Sequence, residues 1–112
     1  MTSFPAVILE MKQLKKVELA FNEEIKALPK AINKLENLEY LSCYMSGVTD
    51  IPDELWELKR LRYVDLGESE VEYLSDEVKK STSLERLVLS MTPIPEARKK
   101  ELEDLLNCKV YY

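Results

Sequence analysis

Few side chains in this sequence are equipped for chemistry, and their spacing does not favour it. There is no histidine, so neither Cys43 nor Cys108 has an imidazole base to activate it. The two cysteines lie 65 residues apart (43 to 108), which matches no metal-ligand spacing, and one isolated pair is no disulfide framework. They read as buried structural thiols of a reduced, cytoplasmic protein. With only Gly47 and Gly67, no glycine-rich loop can cradle a phosphate. Glu18 and Asp65 are the best-placed carboxylates. The repeat traced below sets them two strands apart, ~10 Å, which is wide for a paired acid and base. No catalytic residue, cofactor or metal ligand is therefore assigned.

Composition narrows the partners. Of 112 residues, 46% are apolar, enough for a packed core and too many for a disordered chain. The formal net charge of −5 argues against a nucleic-acid surface, which needs a basic stripe, and against an anionic membrane. The longest uncharged run, Tyr40–Thr49, is too short to span a bilayer. The opening Met1-Thr-Ser-Phe-Pro-Ala-Val-Ile-Leu-Glu10 shows no basic leader or cleavage site and reads as no signal peptide.

What organises the chain is a period. Leu38, Leu41, Cys43, Val48, Ile51-Pro52, Leu55 and Leu58 are followed, 23 residues on, by Leu61, Val64, Leu66, Val71, Leu74 and Val78, and then by Leu84, Leu87 and Leu89. A fixed period in this range marks a solenoid. The divisions are a partial repeat over 1–13, repeats over 14–37, 38–60 and 61–83, and a last repeat with a closing cap over 84–112. The first full repeat is one residue longer, with the extra residue placed in Asn22–Glu24. Leu28-Pro29 and Ile51-Pro52 open return paths, and Ser75 stands where those repeats have proline. Ile32, Leu35, Leu55, Trp56 and Leu58 give the return paths a buried edge. After Pro95, Glu96–Leu106 reads as a helix with Leu102, Leu105 and Leu106 on its buried side and Arg98–Glu101 on a solvated face. Val110 and Tyr112 are expected to point inward from a fifth strand.

The spacing resembles the leucine-rich repeat family in its 23-residue form, Leu-x-x-Leu-x-Leu-x-x-Asn-x-Ile-x-x-Leu-Pro-x-x-Ile-x-x-Leu-x-x, over essentially the whole chain. The ending Leu106-Asn-Cys-Lys-Val-Tyr-Tyr112 resembles the terminal cap of many bacterial members. At the family's asparagine position stand Asn22, Ser46, Ser69 and Thr92, and the shorter hydroxyl side chains predict looser turns over 44–50 and 67–71. The resemblance implies an α/β solenoid, a right-handed βα superhelix. Its curved parallel sheet lines the concave face, with short helices or turns on the convex face. It also implies binding, mostly of proteins, on the concave sheet, and does not imply an enzyme.

Each Leu-x-x-Leu-x-Leu unit makes a short strand whose alternate residues face outward. The outward rows are Lys16, Tyr40, Tyr63, Arg86, then Glu18, Ser42, Asp65, Val88, then Ala20, Tyr44, Gly67, Ser90, with Phe21, Met45, Glu68 and Met91 at the strand ends. The expected site for a protein or peptide partner is Tyr40, Tyr44 and Tyr63, bordered by Phe21, Met45 and Met91, with Asp65 and Arg86 beside them. Tyrosine also suits a half-exposed strand on propensity alone. The first strand has only residues 1–13 before it, and its free edge invites a homodimer. The rival reading is a structural or recognition fragment of a larger receptor, effector or multidomain enzyme.

Overall fold

Alternation of polar and apolar residues in five three-residue runs builds the framework. In the computed structural model, which describes residues 4–106 and 108–112, β1 is Lys16–Glu18, β2 Tyr40–Ser42, β3 Tyr63–Asp65, β4 Arg86–Val88 and β5 Lys109–Tyr111. All neighbours are parallel, in the order β1-β2-β3-β4-β5. Lys16 aligns with Tyr40, Tyr40 with Tyr63, Tyr63 with Arg86 and Arg86 with Lys109. The middle residues Val17, Leu41, Val64, Leu87 and Val110 form one buried column behind the sheet. Leu19, Cys43, Leu66 and Leu89 form a second. Apolar side chains two residues apart land on the same face because the pleat has a period of two.

The return paths are short 3-10 helices, Ala6–Glu10, Lys30–Lys34, Asp53–Glu57 and Asp76–Lys80, on the convex side. Pro5, Pro29 and Pro52 precede the first three with φ near the value the pyrrolidine ring imposes. Ser75 replaces that stiffness with a cap: its Oγ accepts from the Glu77 N–H at 3.2 Å and donates to Asp53 Oδ1 at 2.7 Å. Ile32, Leu35, Leu55, Trp56, Leu58 and Val78 are buried, so the convex helices close the core from behind. Ser81 takes the place in its repeat that Leu35 and Leu58 hold in theirs. It is buried, and its Oγ has no partner among the described residues.

Helix α1, Glu96–Leu105, follows Pro95 with Glu96 in its first turn. Three expectations fail here. Leu105 is exposed rather than buried, because Lys99, Leu102 and Leu106 share the inner face and Leu105 is turned about 90° from their centre at 3.6 residues per turn. Arg98–Glu101 is not simply a solvated face. Lys99 is buried, and Arg98 Nη2 donates to Leu74 O and to Asp76 Oδ1, both at 2.8 Å, pinning the helix to the preceding repeat. Tyr112 does not point inward. The ladder ends at Tyr111, so strand alternation no longer governs Tyr112, and its exposed hydroxyl donates to Glu103 Oε1 at 2.7 Å.

The turns leaving the strands share one conformation. Phe21, Met45, Glu68 and Met91 have φ of 64°, 52°, 53° and 59°. Main-chain bonds tie successive turns together: Phe21 N–H to Tyr44 O, Met45 N–H to Gly67 O and Glu68 N–H to Ser90 O, all at 2.8–2.9 Å. At the position that Asn22 holds in its repeat, the Ser69 and Thr92 hydroxyls reach only their own turns, donating to Leu66 O at 2.6 Å and Leu89 O at 2.7 Å, as Asn22 Nδ2 donates to Ala20 O at 3.2 Å. Thus the shorter side chains act within a turn while the backbone joins one turn to the next. Gly47 is needed for a close approach, since a Cβ there would overlap the Glu23 carbonyl.

Val64 is buried in the central strand between Leu41 and Leu87. Val64→Ala should cost about 1–3 kcal/mol through lost transfer energy and a cavity. Urea denaturation checks this, and an unmoved midpoint would place Val64 outside the core.

Candidate functional site

The outward face of the sheet gathers the residues singled out above. Alignment of Tyr40 with Tyr63 on adjacent parallel strands sets their rings face to face, with centroids 4.7 Å apart and planes at 10°. That distance is the strand spacing itself. Lys16 Nζ lies 4.7 Å from the Tyr40 centroid, so β1 adds a cation to the column. Arg86 and then Lys109 continue the row on β4 and β5.

Tyr44 belongs to a separate pair, one turn further on. Its ring lies over the bare backbone of Gly67, where a Cβ would stand 3.3 Å from Tyr44 Cδ1. Phe21 meets it edge-on at 5.7 Å and 86°. The Tyr44 hydroxyl donates to Glu68 Oε2 at 2.6 Å, and this bond to a carboxylate pushes the phenol pKa up. The ring contacts thus fall in two pairs, Tyr40 with Tyr63 and Phe21 with Tyr44. Met45 is partly exposed and Met91 is 76% exposed. Asp65 serves the turn, with Oδ1 accepting the Gly67 N–H at 2.8 Å. The pKa of Tyr63 is raised, chiefly by partial burial and then by the negative charge of Asp65.

Beside the stacked tyrosines, Glu39, Arg62, Glu85 and Arg86 complete a shallow cleft of about 290 Å³. Arg62 reaches Glu85 at 2.6 Å and Glu39 at 3.7 Å. The hydrogen bond between Arg62 and Glu85 lowers the carboxyl pKa and raises that of the guanidinium. A larger open groove, about 420 Å³, lies away from the strands between Asn33, Asn37, Glu57 and Arg60. Four of its side chains are paired, Asn33 with Glu57 and Arg60 with Asn37.

Tyr111 was not among the expected site residues. It extends the row of Ser42, Asp65 and Val88, with Lys109 Nζ 5.7 Å from its centroid. Adding 23 to Val88 points to it. Among the described residues no cluster of His, Cys, Asp and Glu is arranged to hold a metal ion. The arrangement offers flat aromatic area, hydroxyls and mixed charge, which suits recognition. Cys43 lies behind the sheet, away from this surface, and burial pushes its thiol from about 9 up to about 12, with a smaller contribution from Asp65.

No family model and no curated protein matches the sequence. Among solved structures, a leucine-rich repeat protein of Leptospira interrogans is similar over 99% of this chain and 28% of its own, with a TM-score of 0.92 and 31% identity. The chain belongs to the leucine-rich repeat family. An internalin of Listeria monocytogenes shares the fold alone, at 14% identity and a TM-score of 0.77 over 98% of this chain and 34% of its own. The chain thus spans about a quarter to a third of the length of these two proteins. Leucine-rich repeat folds of this kind are protein-interaction scaffolds and are typically non-enzymatic. No described helix of this leucine-rich repeat chain is long and apolar enough to cross a membrane.

The inward position of Cys43 has two measurable consequences. In the native protein it should resist iodoacetamide and then react on unfolding. Below pH 9 both folded and unfolded forms hold the thiol proton. Between about 9 and 12 the unfolded chain loses it while the folded chain keeps it, so stability falls with rising pH. Relative to Cys43→Val, the parent should lose about 1.4 kcal/mol per pH unit across that window. Parallel alkaline profiles, or rapid native labelling of Cys43, would place the thiol on the surface.

Proposed function

We propose that the chain is a non-catalytic protein-binding module whose partner, a protein or peptide, docks on the concave sheet face. The observation that carries this reading is the Tyr40–Tyr63 stack. Both rings stand on the outer face, while the core behind them is complete without them. Tyrosine supplies large contact area and a hydroxyl at low entropic cost, which is why it concentrates in interfaces. Tyr44, Phe21, Met45 and Met91 extend the surface towards the turns, with Arg86 and Asp65 giving it charge of both signs. The net charge of −5 favours protein over nucleic acid as the partner. A reducing, cytoplasmic setting belongs to the same reading and is supported by two unbridged thiols.

A second reading makes the chain a recognition segment of a larger protein. It is favoured by one observation: the chain covers only 28% and 34% of the two solved structures it resembles. In both readings the sheet face does the binding.

The test starts from a partner captured with the intact chain. Tyr40→Ala and Tyr63→Ala should each weaken its binding by about 1–3 kcal/mol, as for a central anchor, and lower folding stability in urea by only about 1 kcal/mol. A partner indifferent to both but sensitive to Lys59→Ala would move the interface to the convex side.

A further inference from the structure

Three exposed side chains are explained neither by backbone conformation nor by solubility. Phe21, Met45 and Met91 occupy left-handed backbone, with φ of 64°, 52° and 59°. Glycine, asparagine and aspartate adopt that conformation most readily, and a bulky side chain there is uncommon. Exposure also favours a polar residue, yet Phe21 is 69% and Met91 76% exposed. None of the three is part of the buried core. A ridge of large apolar side chains at strained, exposed positions therefore points to contact with another molecule.

The surroundings specify the chemistry of that molecule. Glu68 is the fourth member of the same turn row, and it sits between Met45 and Met91. The open groove beside Met45 is about 640 Å³ and is lined by Glu23, Glu68, Glu70 and Glu72 against a single cation, Lys26. Glu70 and Glu72 form no ion pair among the described residues. From Phe21 to Met91 the ridge crosses three strand intervals, ~14 Å. An α-helix of about ten residues covers that length.

We infer that this turn ridge seats a basic amphipathic helix of the partner, its apolar stripe on Phe21, Met45 and Met91 and its lysines or arginines against Glu23, Glu68, Glu70 and Glu72. The inference rests on the protein-binding reading above and names the partner's chemistry at one border of that surface. Apolar contact fixes the helix, and the carboxylates select its charge.

The probe is a fluorescein-labelled leucine–lysine peptide of fourteen residues with a helical apolar stripe, titrated with the whole chain and read by fluorescence anisotropy. It should bind at least tenfold tighter than a scrambled peptide of the same composition, and tighter than a leucine–glutamate counterpart. Added salt should weaken it. The triple variant Phe21→Asn, Met45→Asn, Met91→Asn should lose at least tenfold in affinity. Asparagine tolerates left-handed backbone, so Met91→Asn alone should melt no lower than the parent. Several results would overturn the inference: no binding, equal binding of the scrambled peptide, unchanged affinity in the triple variant, or a lower melting temperature for Met91→Asn. Loss of captured-partner binding in Tyr40→Ala/Tyr63→Ala but not in the triple variant removes this inference and leaves the concave-face reading standing.

Discussion

No strand in this protein can bury its own apolar residues. Each is three residues long, and each inward side chain is covered only when the next copy stacks beside it. The parallel ladder that aligns Val17, Leu41, Val64, Leu87 and Val110 is therefore the constraint on which everything else depends. It commits one face of every strand to the core. It also releases the other face, because residues between the inward positions must point away from it. The stacked Tyr40 and Tyr63 are a direct product: strand spacing sets their separation, and the register sets their parallel planes.

The turns apply the same economy differently. Their main-chain bonds run from one repeat to the next, so the link between repeats does not depend on the side chain at the asparagine position. Ser69 and Thr92 bond locally and the stack still closes. Left-handed backbone recurs at Phe21, Met45, Glu68 and Met91, and there the conformation projects side chains outward beside the sheet. The tyrosine face and the turn ridge thus meet along one border, joined through the edge-on contact of Phe21 with Tyr44.

Much of this was legible because a repeat multiplies its signal. The inward position of Cys43 follows from its equivalence with Leu19 and Leu66, and the outward rows follow from counting, except that Ser42 in its row is buried. Reading failed where the period no longer dictates structure. In α1 a helical arc decides burial, so Leu105 is exposed and Lys99 is buried. Tyr112 lies beyond the last ladder pair. Phenylalanine and methionine do not announce left-handed backbone, so nothing in their residue types marks the turn conformation. The split of the aromatic residues into two ring pairs depends on rotamers and on the space above Gly67, which composition does not encode.

The central claim is that the two faces of this sheet divide the work: one is committed to folding, which leaves the other free for the recognition proposed for it. The most direct measurement is a proteolysis-coupled stability scan of single substitutions through all five strands and their turns. Polar replacements at Leu41, Val64, Leu87 and Val110 should unfold the chain. Replacements at Arg86, Met91 and Tyr111 should leave its stability within about 0.5 kcal/mol of the parent, as for surface positions, and those at the half-buried, stacked Tyr40 and Tyr63 should cost about 1 kcal/mol, well short of the core. If Tyr40 and Tyr63 prove as intolerant as Leu41 and Val64, the tyrosine face is part of the fold's own support, and the division of labour is contradicted.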